Sequence, residues 1–562
     1  MNLLGKIAEP SLWRAVREDE YYAFYRDELL EVWEAFCKDK AIPPLLYSKY
    51  RLFFETGDRL SYEKDYFDRR QMLVCSALLS LIYPEEPKYF SLLSDVIFDI
   101  CTEYTWCLPA HIEPQGEGVI DPPFVVDLFA SETAFMLAEI SVLFSDRLDE
   151  LVKRRISDEV SKRVIDSTLS KHGGWTWERK NNNWPAVCAG SIGCAAMLLF
   201  PDKMWELEPR LNAAMENYLS GFLGEGACLE GANYWDYGFG FFTVYADMLE
   251  RFTDGADNYF DRQDVKAAAL FISKIYLTGN TVASFSDSNR SYYASRGIIN
   301  YLTARYPEDF RLPKGATTSL NVLRGRLSYL LFAAAYPDQT EKICDVSEKE
   351  NDCFYSPKAE WYVNKNSQFA LAAKGGNNKE PHNHNDIGHF VFAKDNRQIF
   401  ADLGSGVYDK NYFSPRRYES FEPSSFAHSI PLIDGAGQLP GEQYASKNAR
   451  AGADFFEVDI AGAYGIEKLK SLCRRFDIST DSVTVTDRFD ISGDVKIVER
   501  FITLAEPARV GDNQIAVDGA TLEFSAGVAS VQISKKATAK NECYIIDLAL
   551  AGGVTHFVAT IK

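Results

Sequence analysis

The sequence is poor in histidine, lacks long apolar runs and has fewer basic than acidic residues. Its 562 residues include 7 histidines, and 60 basic residues against 80 acidic ones give a formal net charge of −20. This charge argues against a general binder of nucleic acids or membrane surfaces. No run reaches the roughly 18 apolar residues that a membrane-spanning helix needs. We therefore expect neither nucleic acid nor membrane among its partners.

The cysteines form no disulfide framework. Eleven are scattered along the chain, and several, such as Cys75, Cys188 and Cys194, lie in apolar helical context. This is typical of reduced, buried thiols. The first twenty residues soon turn charged and lack the basic start and long apolar segment of a secretory signal. Together these features predict a cytoplasmic protein.

Length and periodicity divide the chain into two parts. With 562 residues it is too long for one ordinary core. Residues 1–340 carry apolar residues at helical spacing in segment after segment. Residues 124–144 are apolar on almost every side, which predicts a helix buried all round. The sequence has no repeat of fixed period, so a solenoid is less favoured. We expect a double-layered ring of helices with this segment in its inner layer.

The second part has the pattern of short strands. From about residue 355, β-rich runs alternate with turns of Thr-Asp, Asp-Gly and Gly-Gly type, which predicts an antiparallel β-sandwich over 355–562. The run up to Asp402 reads as a hairpin that turns at Asp395 and Asn396. The polar stretch 337–357 is the expected domain boundary.

Three loops of the helical part contain unusual residues. They are TWCLPAH at 105–111, GGWTWERKNNNW at 173–184 and GEGACLEGANYWDYG at 224–238. Binding and catalytic residues often lie on loops of a rigid scaffold, and these three can gather at one end of the ring. The Asn triplet also suits a turn or helix cap. A packing role is the common one for any of the 30 tyrosines.

Four of the seven histidines fall in one stretch near the start of the β part. They are His382, His384, His389 and His428. In an extended segment His382, His384 and Asp386 share a face, and two or three of these groups, with Asp402, can hold a zinc ion through nitrogen and oxygen ligands. The alternative is ordinary hydrogen-bonded histidines and a polar turn, since no tight spacing such as paired CxxC is present.

Taken in order, these motifs resemble those of the heparinase II/III-like polysaccharide lyases. HNHNDIGHF, DLG, a YF…RRY loop and HSIPLIDGAGQ follow one another at similar separations, and NNNW and EGANYWDYG precede them. The resemblance covers roughly residues 90–440. It implies an α/α toroid followed by an antiparallel β-sandwich, with the active site between them.

The resemblance implies β-elimination in a uronic acid-containing chain. Such an enzyme must neutralise the C5 carboxylate, remove the C5 proton and protonate the departing O4. Asn183 is expected to bind the carboxylate, Tyr234 to protonate O4, and His382 to be the second proton-transfer group. If Tyr234 also takes the C5 proton of one epimer, its pKa must fall from the unperturbed value near 10.

The resemblance also implies a structural zinc ion and a set of substrate-binding residues. His384, Asp402 and His428 match the family's zinc ligands, and the ion would pin the loop that carries His382. Tyr237 competes with Tyr234 for the catalytic role. The expected substrate-binding residues are Asn182, Trp106, His111, Tyr237, Arg416, Arg417 and Tyr418.

An acidic chain that takes an acidic oligosaccharide needs a local basic patch. Arg416-Arg417 and Arg474-Arg475 are the candidates, although ordinary surface arginines are favoured for the second pair. The expected substrate is a glycosaminoglycan oligosaccharide of heparin/heparan sulfate, hyaluronan or chondroitin type. Alginate or another polyuronate is the alternative within this class; a zinc-dependent glycan hydrolase and a non-catalytic glycan-binding protein come from other classes. The sequence does not determine the oligomeric state, and a homo-oligomer is one of the possibilities.

Overall fold

The first part of the chain is helical and the second is built from strands. The structure, a computed structural model, describes residues 2–38, 41–112, 121–313, 316, 320, 322–337 and 352–562. The α-helices are α1 (Pro10–Glu18), α2 (Ala23–Val32), α3 (Tyr47–Tyr50), α4 (Leu52–Thr56), α5 (Leu60–Ile82), α6 (Pro87–Ile100), α7 (Leu128–Leu143), α8 (Glu150–Val160), α9 (Asp166–Ser170), α10 (Asn183–Leu199), α11 (Pro201–Leu219), α12 (Ala232–Phe252), α13 (Gln263–Ile275), α14 (Arg296–Arg305) and α15 (Leu327–Ala335).

Most strands follow the helices. They are β1 (Phe222–Leu223), β2 (Ala227–Cys228), β3 (Tyr276–Thr278), β4 (Thr281–Val282), β5 (Asp352–Ser356), β6 (Trp361–Lys365), β7 (Ala370–Lys374), β8 (Asn377–Asn378), β9 (Phe390–Lys394), β10 (Arg397–Phe400), β11 (Leu432–Ile433), β12 (Gly441–Ala445), β13 (Lys447–Ala451), β14 (Phe455–Asp459), β15 (Leu469–Ile478), β16 (Val483–Ile491), β17 (Ile497–Thr503), β18 (Ala508–Gly511), β19 (Gln514–Val517), β20 (Ala520–Phe524), β21 (Val528–Ala537), β22 (Glu542–Leu550) and β23 (His556–Ile561).

The helical part is a double-layered α/α toroid. Helix α7 is buried along almost its whole length, as expected from its apolar sequence, and α10 and α12 are buried in the same way. Helix α11 instead buries one stripe at helical spacing and turns its polar face to solvent, which is the pattern of an outer helix. Helices α10 and α12 approach closely at Gly193, where a Cβ atom would lie 2.4 Å from the Tyr245 ring.

The β part is an antiparallel sandwich of two large sheets. One has nine strands in the order β21-β22-β17-β10-β9-β7-β6-β5, with β11 also paired to β17; the other has eight, in the order β13-β14-β15-β16-β23-β20-β19-β18. The expected fold class, a toroid followed by a β-sandwich, is confirmed. Strand β9 ends in the expected hairpin turn, where Asp395 and Asn396 have φ of 51° and 62°. Both residue types tolerate this left-handed conformation, which suits a tight hairpin.

Strands β6, β7 and β9 join the two parts because both of their faces are buried. Alternate residues of these strands, such as Trp361 and Val391, belong to the core of the helical part. Their neighbours, such as Tyr362 and Phe390, belong to the core between the two sheets. The Trp361 ring lies 5.1 Å from that of Phe285. This shared sheet fixes the β-part loops against the toroid.

The predicted boundary at 337–357 lies largely outside the described residues, since 338–351 are not among them; helix α15 ends at Ala335 and strand β5 begins at Asp352. The ten cysteines of the described residues are free thiols. None of the described helices has both the length and the apolar content to cross a bilayer.

Candidate active site

A cleft of about 570 Å³ opens between the toroid and the sandwich. Both parts contribute to it. From the helical part come Leu60, Asn233, Tyr234, Tyr237, Asp287, Asn289, Tyr292 and Arg326; from the β part come Ser405, Gly406, Val407, Tyr408 and Lys540. The predicted catalytic tyrosine therefore lies in a cleft that polar and aromatic groups line from both sides.

The N-terminus of α10 adjoins the cleft and holds the Asn triplet. Asn182 is the helix cap, and its side-chain oxygen accepts from the Trp184 backbone N–H at 3.2 Å. Asn183 is buried, and its own N–H donates to Glu230 at 2.8 Å. The Asn183 side-chain oxygen is buried without a hydrogen-bond partner among the described residues. Asn182 thus has a local capping role, whereas the Asn183 amide is not used to hold the helix.

Tyr234 lies in the first turn of α12 and faces the β part. Its hydroxyl is 3.0 Å from that of Tyr408. Its ring stacks on the His382 imidazole, with 4.2 Å between centroids and 24° between planes. Burial, followed by the negative charge of Asp287, raises the pKa of the Tyr234 phenol. The expected lowering of this pKa is therefore absent, and the environment favours a neutral phenol, which is a proton donor.

His382 is held in an unusual backbone conformation at the edge of the cleft. Its φ is +56°, in the left-handed region that costs non-glycine residues energy. The segment is therefore not the extended one that the sequence suggested. Its Nδ1 lies 2.8 Å from the Asp287 carboxylate, and its Nε2 lies 3.5 Å from Glu230. Burial raises the pKa of Glu230 to about 6.

Asp287, which the sequence analysis did not single out, joins the histidines of the HNH motif. One oxygen accepts from His382, and the other accepts from His384 at 3.1 Å, the Tyr412 hydroxyl at 2.6 Å and Arg417 at 2.8 Å. Burial opposes its charge, but hydrogen bonds from the two histidines and the charge of Arg417 outweigh burial and hold its pKa well below the usual range. A lone carboxylate in the small-residue run SFSDSN was the only local signal.

Behind His382, four side chains bring potential metal ligands together. One donor atom each from His384, Asp386, Asp402 and His428 lies within 4.8 Å of all the others, and all four residues are buried. His384 Nδ1 is 3.1 Å from His428 Nε2, which in turn is 3.6 Å from an Asp402 oxygen. These separations are close to the ~3.3 Å edge of a tetrahedron with bonds of about 2.0 Å, as zinc prefers.

The hydrogen bonds around the two histidines also fit a cation. His384 Nε2 faces Asp287, and His428 Nδ1 faces the Ser424 carbonyl at 2.9 Å. Both partners only accept, so these nitrogens carry the protons and the lone pairs of His384 Nδ1 and His428 Nε2 face each other. One oxygen each of Asp386 and Asp402 is buried with no hydrogen-bond partner among the described residues. Facing lone pairs and unpaired carboxylate oxygens are what a bound metal ion would satisfy.

Asp386, which the pattern offered as a possible ligand but which is not in the set implied by the resemblance, is the fourth potential ligand. Its other oxygen accepts from the buried Lys374 ammonium at 2.8 Å. His389, by contrast, accepts a hydrogen bond from the Ser429 backbone at 2.9 Å. The other ring nitrogen of His389, Nε2, is buried 3.4 Å from an Asp402 oxygen and has no hydrogen-bond partner among the described residues. His389 therefore adjoins the cluster without being one of its four potential ligands.

Of the remaining predicted substrate-binding residues, some lie at the cleft and others bind neighbouring protein groups. Arg417 and Tyr418 join the cleft edge, where Tyr418 donates to Asn383 at 2.8 Å and Arg417 binds Asp287. Tyr237 lines the cleft, but its hydroxyl donates to Glu132. His111 lies 2.7 Å from Asp127, and its ring lies edge-on to Trp184, at 4.9 Å between centroids.

Two expectations need correction. Trp106 is only 1% exposed, and its indole donates to the Ile100 carbonyl at 3.0 Å, so it packs under its loop instead of lining the cleft. Arg416 is exposed and pairs with Glu419 at 2.8 Å, so it does not face the site. A tryptophan in a loop gives the same sequence signal whether its ring packs inward or lines a cleft.

The second arginine pair is not part of the cleft lining, although Arg474 donates to the Ser429 carbonyl, next to His428, at 2.8 Å. Arg474 is buried in the sandwich and pairs with Asp487 at 2.6 Å and Glu499 at 3.1 Å. Arg475 pairs with Glu457 and Asp477. The Arg474 side chain is thus a core residue and not the solvated surface arginine that was favoured, and neither arginine forms a basic patch for substrate.

No protein-family model and no curated protein matches the sequence. Solved structures do match. A heparinase III structure has a TM-score of 0.63 at 13% identity, with 98% of this chain and 91% of that chain covered. A heparan sulfate lyase from Pedobacter heparinus has 0.58 at 12%, covering 100% and 87%. A chondroitin AC lyase from Streptomyces coelicolor A3, in complex with chondroitin sulphate, has 0.55 at 10%, covering 100% and 83%. The chain therefore has the fold of these polysaccharide lyases over its whole length.

Proposed function

We propose that this protein is a polysaccharide lyase that cleaves uronic acid-containing glycosaminoglycan oligosaccharides by β-elimination. The observation that carries the proposal is the stack of Tyr234 on His382, at 4.2 Å, beside a cleft between toroid and sandwich. A phenol and an imidazole side by side supply the acid and the base that elimination needs. The shared fold with heparan sulfate and chondroitin lyases supports the same reading.

Tyr234 is the proton donor to the departing O4. Its raised pKa keeps the phenol neutral near neutral pH, so a proton is available where negative charge develops. The Tyr408 hydroxyl, 3.0 Å away, can stabilise the phenolate that remains after transfer. Tyr237 is the weaker candidate because its hydroxyl already donates to Glu132.

His382 is the base. Its Nδ1–H donates to Asp287, which fixes the tautomer and leaves the Nε2 lone pair free to accept the C5 proton. Asp287 also stabilises the imidazolium that forms. The side chain is 16% exposed, so substrate can reach it, whereas His384 two residues later is fully buried.

Asn183 and Glu230 bind the C5 carboxylate of the substrate. The Asn183 side-chain NH₂ group can donate a hydrogen bond to a carboxylate, and the adjacent helix N-terminus favours its negative charge. Glu230 accepts from the Asn183 backbone and, with a pKa near 6, can carry a proton that it donates to a substrate carboxylate. Substrate charge would thus be neutralised next to His382.

We further propose that His384, Asp402, His428 and Asp386 hold a structural zinc ion. The ion would supply a rigid anchor for the segment that begins at His382. The four donors are buried, whereas a zinc-dependent hydrolase needs a coordination position open to solvent and substrate. The burial therefore favours a structural ion over hydrolysis.

One absorbance experiment tests the function. Heparan sulfate, hyaluronan, chondroitin sulfate and alginate oligosaccharides are each incubated with the full chain, and the conjugated C4–C5 double bond is followed in the ultraviolet. A lyase raises this absorbance with at least one substrate. Chain cleavage without absorbance would indicate hydrolysis, and binding without cleavage would indicate a glycan-binding protein. Fastest turnover of alginate would place the protein with the polyuronate lyases.

A further inference from the structure

Most of the inward-facing basic residues are paired with a carboxylate, and Arg326 is an exception. Arg70 pairs with Glu103, Arg417 with Asp287, and Lys374 with Asp386. Within the part of the chain that the structure describes, Arg326 has no hydrogen bond and no ion pair; its contacts are with the rings of Tyr237 and Tyr329. A half-buried guanidinium that retains its hydrogen-bonding capacity is ready to bind a ligand.

The location of Arg326 places it inside the candidate active site. It precedes α15 and lines the same cleft as Tyr234. Its guanidinium carbon lies 4.1 Å from the centre of the Tyr237 ring, and Tyr237 follows Tyr234 by three residues on α12. Three helical residues rise by about 4.5 Å, a length comparable to one sugar ring. Arg326 and Tyr234 therefore line one cleft, with Arg326 against the residue one helical turn beyond the proton donor.

The stacking geometry leaves the useful edge of Arg326 free. The ring of Tyr237 covers one face of the guanidinium, so the in-plane N–H donors stay available. Such a fork binds a carboxylate or a sulfate through two parallel hydrogen bonds. Glu132, the carboxylate that lines a cavity with Arg326 and Tyr237, accepts from the Tyr237 hydroxyl instead.

A second cation faces the same cleft from the β part. Lys540 hydrogen-bonds to the Ser405 hydroxyl and makes no ion pair within the described ranges. Burial lowers its pKa. The cleft therefore has, on opposite walls, two basic side chains that form no ion pair with the described residues, in a protein of net charge −20. This is the local basic patch that an acidic substrate requires.

We propose that Arg326 forms an oxyanion subsite that binds a carboxylate or sulfate on the sugar next to the scissile linkage. The proposal rests on the proposed function, since it takes Tyr234 as the reference point for cleavage. The two oxyanions share the same chemistry towards arginine, and the substrate arms of the test separate them.

The test compares Arg326→Gln with the wild-type full chain. Binding of size-matched heparan sulfate, chondroitin sulfate, hyaluronan and alginate oligosaccharides is measured by calorimetry, and KM and kcat by ultraviolet absorbance. Loss of hydrogen bonds to a charged group should raise Kd and KM about 10- to 150-fold, with kcat nearly unchanged because the subsite does not touch the reacting atoms. A deficit confined to sulfated substrates identifies sulfate; an equal deficit on hyaluronan identifies carboxylate.

Two further variants control for the change in net charge and for the loss of the planar guanidinium. Arg154→Gln makes the same charge change on α8, where the side chain is 81% exposed, and should leave Kd unchanged. Arg326→Lys keeps the charge but loses the planar fork, so an intermediate deficit is expected. It also serves if Arg326→Gln fails to fold, as judged by thermal unfolding.

The outcomes separate this proposal from the proposed function. Wild-type binding that depends on Arg326, without any elimination, would overturn the lyase function and leave the subsite intact. Elimination with KM and Kd of Arg326→Gln within twofold of wild type would overturn the subsite and leave the function intact. Absence of wild-type binding to all four oligosaccharides would overturn the subsite.

Discussion

Replacing Asp287 by asparagine should stop catalysis by changing the tautomer of His382. One Asp287 oxygen accepts three hydrogen bonds, from His384, Tyr412 and Arg417, and the other accepts only from His382. An amide has one oxygen, and it should take the place of the carboxylate oxygen that accepts from His384, Tyr412 and Arg417. Its NH₂ group then faces His382 Nδ1, which must accept. The proton of the imidazole moves to Nε2, and the lone pair that would take the C5 proton is lost.

The expected loss in kcat is about 10²- to 10⁴-fold, the range for removal of a general base. In the Ser-His-Asp triad, the equivalent Asp→Asn change fixes the wrong tautomer and lowers kcat by about 10⁴. Stability should also fall, because the negative charge that pairs with the buried Arg417 is lost, and removing one member of a buried ion pair costs about 3–5 kcal/mol. Zinc affinity should fall by roughly 10- to 100-fold, since His384 loses its carboxylate partner.

The assay is kcat at saturating substrate, measured by the absorbance of the unsaturated product well below the melting temperature. Tyr412→Phe is the matched control, because it removes one donor from the same carboxylate but leaves its charge and the His382 tautomer. It should cost about 1 kcal/mol of stability and little kcat. If folded Asp287→Asn retained a kcat within a fewfold of wild type, the tautomer argument would be refuted.

Three further predictions follow from the site. Tyr234→Phe should fold and bind substrate normally but lose about 10²- to 10⁴-fold in kcat; near-normal turnover would redirect attention to Tyr237. Freshly purified protein should contain one zinc per chain by metal analysis, and Asp386→Asn should lower both zinc content and melting temperature; a zinc-free protein with full activity after chelation would contradict this. Because burial raises the pKa of Glu230 to about 6 from an unfolded value near 4.5, the folded state holds the proton more tightly. Stability should therefore fall by about 2 kcal/mol in total as pH rises from well below 4.5 to well above 6. Denaturant titrations should find a flatter pH dependence in Glu230→Gln, and an unchanged slope would exclude Glu230 as its source.

The sequence predicts the fold well because each element has a local signature. Helix α7 is apolar on almost every side and is buried along almost its whole length. The β9–β10 hairpin turns at Asp395 and Asn396, the residue types that accept positive φ. Regular patterns of period 3.6 and 2 persist over many residues, so no single substitution hides them.

The site is less predictable because its parts come from distant segments. His384, Asp402 and His428 could be found as scarce residue types in a short stretch. Asp287 lies 95 residues before His382, to which it bonds, and Arg326 stands in a stretch without a motif. Nothing local distinguishes such residues from surface charges, since their role depends on long-range packing. The same limit applies to Trp106, whose orientation the sequence does not encode.

The hydrogen bonds around Asp287 connect the proposed structural ion to His382, the proposed base. The left-handed backbone of His382 costs roughly 1–3 kcal/mol and persists only if its surroundings hold it. Arg417 holds the His382 carbonyl at 3.1 Å, and Asp287 holds the imidazole. The proposed ion would fix His384, two residues away and bonded to the same carboxylate. Removing the ion would then leave the fold of the sandwich intact but release His382 from its tautomer and position, so activity should be lost at chelator concentrations that leave the sheets folded.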